Sequence, residues 1–155
     1  MIQGTIRTFL RSGSYTSTTI HYDMNAIKIR IHENNSEQRY ILFYLYAPWR
    51  IVRNRTIINS SGLYPIEQLY ASKAKHKKAF LKYCDSTRTL ARKRIVKVTI
   101  APRSNDLTIE WGDGTMLEKY CLDPKEYDYH IYDYLNNKTY DFRFDRVSKT
   151  STNSK

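Results

Sequence analysis

Four histidines and two cysteines are the side chains best suited to proton transfer, nucleophilic attack or metal binding, and their spacing argues against all three. His21, His32, His76 and His130 stand far apart, with no His-x-His or His-Glu-x-x-His pair to put two imidazoles on one metal ion. Cys84 and Cys121, 37 positions apart, match neither a zinc pattern nor a disulfide framework. They are expected to be reduced, half-buried thiols of a cytosolic protein. His130 has Asp128 and Asp133 close by in sequence, but an acid–base dyad there would need the fold to turn them together; a hydrogen-bonded surface histidine is the simpler reading. Gly112-Asp113-Gly114 is too short for a phosphate loop and lacks the following Lys-Ser/Thr, and Gly-x-Ser-x-Gly is absent. The pattern therefore predicts no catalytic residue, no metal and no cofactor. A triad assembled from distant positions stays open.

The positive signal is charge. The chain of 155 residues has a formal net charge of +11, unevenly placed. Residues 71–100 carry Lys73, Lys75, Lys77, Lys78, Lys82, Arg88, Arg92, Lys93, Arg94 and Lys97 against a single acid, Asp85. A field of this kind attracts polyanions or an acidic protein surface without reading sequence. On a helix Lys75, Lys78 and Lys82 form one stripe, and Arg92, Lys93 and Arg94 would extend it if the two segments lie side by side.

Helix and strands must position these groups. Pro65 to about Cys84 reads as a helix, with Pro65 in the first turn and Ile66, Leu69, Tyr70, Ala74, Leu81 and Cys84 on an apolar face. Lys73 and Lys77 fall among those apolar residues, so either they snorkel to water or the helix is broken and only its later part packs. Both flanks alternate with period two. Ile27, Ile29 and Ile31 share one face against Lys28, Arg30 and His32, and "QRYILFYLYAPWRIV" is more continuously apolar, as a strand covered on both sides would be. Pro48 belongs at a bulge, an edge or a strand start. Leu107, Ile109 and Trp111 alternate into a hairpin whose Gly112-Asp113-Gly114 loop supplies positive-φ positions, and "YDYHIYDYL" and "KTYDFRFD" form another hairpin across Asn136-Asn137.

The two flanks echo each other. Ile20 to Ile27 and Ile100 to Leu107 have equal spacing; "IKIRI" and "LTIEW" follow, then "YILFY" and "MLEKY", then Trp49-Arg50-Ile51 and Tyr129-His130-Ile131. The fold expected is α+β: two mainly antiparallel β units, an internal pseudo-repeat about an approximate two-fold, with one principal basic helix between them in sequence. Residues 1–147 make one domain, and the polar stretch 148–155 is expected to be a mobile tail. The opening "MIQGTIRTFLRSGSY" has no secretory h-region, its apolar residues being interrupted by Arg7 and Arg11.

Trp49 and Trp111, at comparable points of the two flanks, are expected inside, leaving Arg50, Arg53 and Arg55 as a rim. Of 14 tyrosines, five crowd into "EYDYHIYDYLNNKTY". Tyr127, Tyr129 and Ile131 should face the core, and Tyr132 and Tyr134 the other side with Asp128 and His130, a face that suits a partner.

Pro48-Trp49-Arg50-Ile51, Ile58-Asn59-Ser60-Ser61-Gly62, Asp106-Leu107-Thr108-Ile109-Glu110-Trp111 and Tyr127-Asp128 give the chain, over roughly residues 20–62 and 90–133, a pattern that resembles an uncharacterised bacterial family of short β-rich proteins. The resemblance implies an immunity-like or accessory protein of toxin and defence loci. His130 stands where the family pattern has tryptophan, and the middle segment is lysine-rich where mixed or acidic residues belong. Charge and resemblance together predict a non-catalytic cytoplasmic binding protein that engages an acidic protein through Lys75, Lys78, Lys82, Arg92, Lys93, Arg94, Tyr132 and Tyr134. The alternative is a nucleic-acid or nucleotide-binding accessory using the same basic segment. No membrane partner is expected, because no run approaches a spanning length.

Overall fold

The structure, a computed structural model, describes residues 2–12, 15–34, 36–122 and 125–151, without the side chains of residues 15–18 and of Arg92. Residues 152–155 lie outside the described ones.

Alternating apolar residues become eleven strands among the described residues: β1 (Tyr15–Asp23), β2 (Ala26–Glu33), β3 (Tyr40–Leu45), β4 (Trp49–Arg53), β5 (Thr56–Ser60), β6 (Ile95–Ile100), β7 (Leu107–Trp111), β8 (Met116–Lys119), β9 (Tyr129–Asp133), β10 (Lys138–Arg143) and β11 (Arg146–Ser151). They form two antiparallel sheets, of order β1-β2-β3-β9-β10-β11 and β5-β4-β8-β7-β6. The fold is α+β, as the pattern predicts. Ile27, Ile29, Ile31, Phe43 and Ile131 of the first sheet and Ile51, Ile109, Trp111 and Leu117 of the second belong to one buried cluster.

The two halves are interleaved, not stacked. Each contributes a three-stranded meander to one sheet and then crosses to the other. Exchanging β1–β5 with β6–β10 converts one sheet order into the other, with β11 added at an edge. The registers agree: Ile27 opposes Leu45 as Leu107 opposes Lys119, and Leu45 opposes Tyr129 as Lys119 opposes Trp49. The echo seen in the sequence holds for Ile27 with Leu107 and for Trp49 with Tyr129. It slips by two residues at the first strand, since Ile20 opposite Ile29 corresponds to Val98 opposite Ile109. Trp49 and Trp111 are therefore not equivalent positions, although both are internal, at 2% and 1% exposure. The Trp49 indole N–H donates to Asn25 O at 2.7 Å.

The continuous apolar run expected as one covered strand is two strands in different sheets. β3 ends at Leu45, the chain crosses through Tyr46-Ala47-Pro48, and β4 starts at Trp49. Pro48 sits where its missing N–H is harmless, just before a strand. In the β7–β8 hairpin only Gly114 has positive φ, +84°, and Asp113 Oδ1 accepts from Thr115 N at 3.0 Å. The β9–β10 hairpin forms at Asn136-Asn137, and Asn137 takes the positive φ. Val147 to Ser151, partly assigned to a tail by composition, pair with β10.

Two α-helices accompany the sheets among the described residues. The first, α1 (Ile2–Arg11), was not expected; it buries Ile2, Ile6 and Phe9, an i, i+4, i+7 stripe, and packs against β6. Arg7 and Arg11, which broke up the apolar run, are its exposed face. The second is shorter than Pro65 to Cys84: α2 (Lys73–Asp85) starts at Ser72, whose hydroxyl accepts from Lys75 N at 3.2 Å. Before it lies a separate 3-10 turn, Glu67–Leu69, flanked by extended backbone at Ile66 and Tyr70. The expected apolar face does not form, since Ile66, Leu69 and Leu81 are all exposed. Of the two alternatives for Lys73 and Lys77, the broken helix is what occurs, and both lysines are exposed.

Candidate binding surfaces

The lysine helix is held by its opposite side. Tyr83 packs its ring against Tyr22, Tyr64 and Trp49, with centroids 4.8, 5.8 and 6.5 Å away. Buried Asn59 donates to Tyr83 O at 3.2 Å and to the Tyr22 hydroxyl at 2.9 Å, and that hydroxyl also meets Thr87 Oγ1. With this side pinned, Lys73, Lys75, Lys77, Lys78 and Lys82 point outward, exposed. No ion pair among the described residues includes them; Asp85 of the same helix lies 3.7 Å from Arg88.

Of the basic residues that would extend the stripe, Lys93 is held elsewhere. After the 3-10 turn Arg88–Arg92, Lys93 is half-buried and its Nζ donates to Asp113 Oδ2 at 2.5 Å in the β7–β8 hairpin. Burial pushes the Asp113 carboxyl up, but the Lys93 bond, two bonds from Thr115 and the Lys93 charge outweigh it and hold it at about 2. Arg94 is exposed beside that hairpin, its carbonyl accepting from Gly112 N at 3.0 Å. The Arg92 side chain lies outside the described ones.

Tyr132 and Tyr134 belong to a second, separate surface, the outer face of the six-stranded sheet. Strand alternation and the β3–β9 register place Tyr40, Tyr44, His130, Tyr132 and Tyr134 on one side. Their rings form an unbroken belt. Tyr40 lies 4.5 Å from Tyr134, Tyr134 6.2 Å from Tyr132, Tyr132 5.9 Å from His130, and His130 5.4 and 5.5 Å from Tyr46 and Tyr127. Three cations sit over the rings: Arg30 at 5.0 Å from Tyr40, Lys28 at 4.8 Å from Tyr44, and Arg143 at 4.6 Å from Tyr127. Tyr44 donates its hydroxyl to Asp23 at 2.8 Å, and burial together with that carboxylate pushes the phenol up to about 12.

Two expectations about this region are corrected, and His130 is the hydrogen-bonded histidine that the sequence suggested. Tyr127, expected in the core, is exposed, because β9 starts only at Tyr129. Asp128, expected on the outer face with His130, is buried. The acid on His130 is neither Asp128 nor Asp133 but its cross-strand neighbour Asp141, whose Oδ1 lies 2.5 Å from Nδ1. Asp133 instead accepts from Leu135 N and from Asn136 in the hairpin turn. Tyr40, Tyr44, Tyr46 and the three cations were not singled out from the sequence, although Tyr40 and Tyr44 stand four apart in an alternating strand and must share a face.

Asp128 serves a different purpose. Lys119, fully buried at 0% exposure, donates to Asp128 Oδ1 at 2.9 Å and to Tyr120 O at 2.7 Å. Its equivalent in the other half is Leu45, so a charge occupies a core position, satisfied by one carboxylate and one carbonyl. Beside it a shallow depression of about 800 Å³, lined by Tyr46, Pro48, Lys125, Tyr127 and His130, ends the belt.

Chemically the belt offers rigid rings with polar rims and a few cations. The His130–Asp141 pair is walled by the Tyr44, Tyr46, Tyr127 and Tyr132 rings. Among the described residues no group of three or more His, Cys, Asp or Glu side chains could hold a metal ion. Among the described residues no helix is long and apolar enough to cross a membrane. No family model, curated protein or solved structure matches the chain.

Proposed function

We propose that the protein is a non-catalytic binding protein of the immunity or defence-accessory type, and that its partner-binding face is the tyrosine belt of the six-stranded sheet. The belt itself carries the reading: seven aromatic rings, Tyr40, Tyr44, Tyr46, Tyr127, His130, Tyr132 and Tyr134, contiguous on one side of a sheet whose other side is core. Tyrosines add contact area at little cost in side-chain freedom, and such rings are the usual anchors of a protein interface. The belt's own charges, Lys28, Arg30 and Arg143 against Asp23 and Asp141, nearly balance, which suits a protein surface better than a nucleic-acid backbone. The net charge of +11, with the exposed lysines of α2, selects an acidic partner and speeds its approach.

The test is affinity capture from lysate of the source cells with the unmodified chain and a Tyr132→Ala/Tyr134→Ala variant as baits. One acidic protein retained by the first and lost by the second is expected, with unchanged circular dichroism. A nuclease-sensitive catch, or a catch indifferent to the two tyrosines, would remove the belt from its role.

A further inference from the structure

The stretch from Leu63 to Lys82 leaves more aliphatic surface in water than a core-forming segment should. Leu63, Ile66, Leu69 and Leu81 are exposed by 59, 51, 78 and 53%. Folding therefore leaves half or more of each side chain's surface in water. The lead-in is fastened along α2: His76 Nε2 lies 2.9 Å from Pro65 O, the Tyr70 ring 5.6 Å from His76, and the Tyr64 ring 6.3 Å from Phe80. At 3.6 residues per turn, exposed Lys73 and Lys77 stand beside His76 and Phe80 on the side of α2 to which the lead-in is fastened, whereas Lys75, Lys78 and Lys82 face away from it. The acids of the stretch and its end are Glu67 and Asp85, the latter beside Arg88.

We propose that this basic, aliphatic patch seats on an anionic membrane surface, with Lys73 and Lys77 against phospholipid headgroups and Leu63, Ile66 and Leu69 in the headgroup–acyl boundary. Two kinds of group point to one occupant. Lysines alone would serve any polyanion, but DNA or RNA would leave the aliphatic side chains facing water, and the patch's own rings are paired with each other, Tyr70 with His76 and Tyr64 with Phe80. An anionic bilayer takes up both, headgroup charge and apolar depth. This attachment lies on the membrane without spanning it, and it departs from the expectation of no membrane partner, which rested on spanning length. It uses none of the belt, so one face can be docked while the other is free.

Sedimentation of the full chain with phosphatidylcholine vesicles, with or without phosphatidylserine, tests it. Binding to the phosphatidylserine vesicles alone is expected. Lys73→Glu/Lys77→Glu should lower it at least about 30-fold. Ile66→Asp/Leu69→Asp, at exposed positions and so compatible with folding, should lower it roughly tenfold or more. Tyr132→Ala/Tyr134→Ala should leave it unchanged, which separates this site from the belt. No vesicle binding at low salt, equal binding without phosphatidylserine, indifference to the Ile66/Leu69 change, or retention on DNA without vesicle binding each overturns the proposal.

Discussion

Lys119 shows how much one side chain can depend on another in this protein. Its ammonium is fully buried and held by Asp128 and one backbone carbonyl. Removing one partner of such a pair leaves a charge in a low-dielectric interior, which typically costs about 3–5 kcal/mol. Asp128→Ala should therefore lower the stability measured by urea unfolding by that order. Lys119→Leu/Asp128→Asn should recover most of the loss, since Leu45 already fills the equivalent place in the other half. If the double variant were as unstable as the single one, the pair would have a role other than neutralising a buried charge. None of this was legible in the sequence. Lys119 reads there as one more lysine between Glu118 and Tyr120, and only the crossing of the chain between sheets buries it.

At the scale of elements, α2 shows local pattern and tertiary contact disagreeing. Periodicity from Pro65 assembles an apolar face, yet the residue that anchors the helix is Tyr83, placed by ring contacts with Tyr22, Tyr64 and Trp49. The reason is geometric: extended backbone at Ile66 and Tyr70 and the Ser72 cap start the helix late, so the early apolar residues never join its wheel. Tyr83→Ala should loosen α2 without unfolding the sandwich. The readout is thiol alkylation at mildly alkaline pH. Cys84, half-buried with a thiol raised by burial and by Asp85, should react faster in the variant. Cys121, buried and pushed up to about 12 by burial and the Asp128 charge, should stay protected. Equal acceleration at both would mean that Tyr83 supports the whole fold. The strands, by contrast, are legible in the sequence, because alternation is a local property that the sheet only has to honour. The hairpins at Gly112-Asp113-Gly114 and Asn136-Asn137 form where turn chemistry placed them.

For the whole molecule, the consequence of interleaving is mutual dependence. β3 pairs with β9 in one sheet and β4 with β8 in the other, so each half completes both sheets. Separately produced 1–92 and 93–155 fragments should each lack fixed tertiary structure. Mixed, they should regain the near-ultraviolet circular dichroism of the buried Trp49 and Trp111. A fragment that folds alone would show that the halves are autonomous units. The same interleaving sets the functional surfaces apart: the belt lies on the outer face of one sheet, and the lysine helix is anchored through inward-facing Tyr22 and Trp49.

From residue order alone came the strand periodicity, the turn positions, the internal location of both indoles, the lysine concentration in 71–100 and the echo between the halves. All of these are set by neighbours within a few positions or by composition. Tertiary structure decided which sheet each strand enters, that Lys119 and Asp128 are buried together, that Asp141 is the acid on His130, and that Tyr40, Tyr44 and Tyr46 join Tyr132 and Tyr134 in one belt. Those outcomes depend on strand pairings between residues as far as about 90 positions apart, such as Ile41 with Asp133, and no local preference encodes the choice of a distant partner.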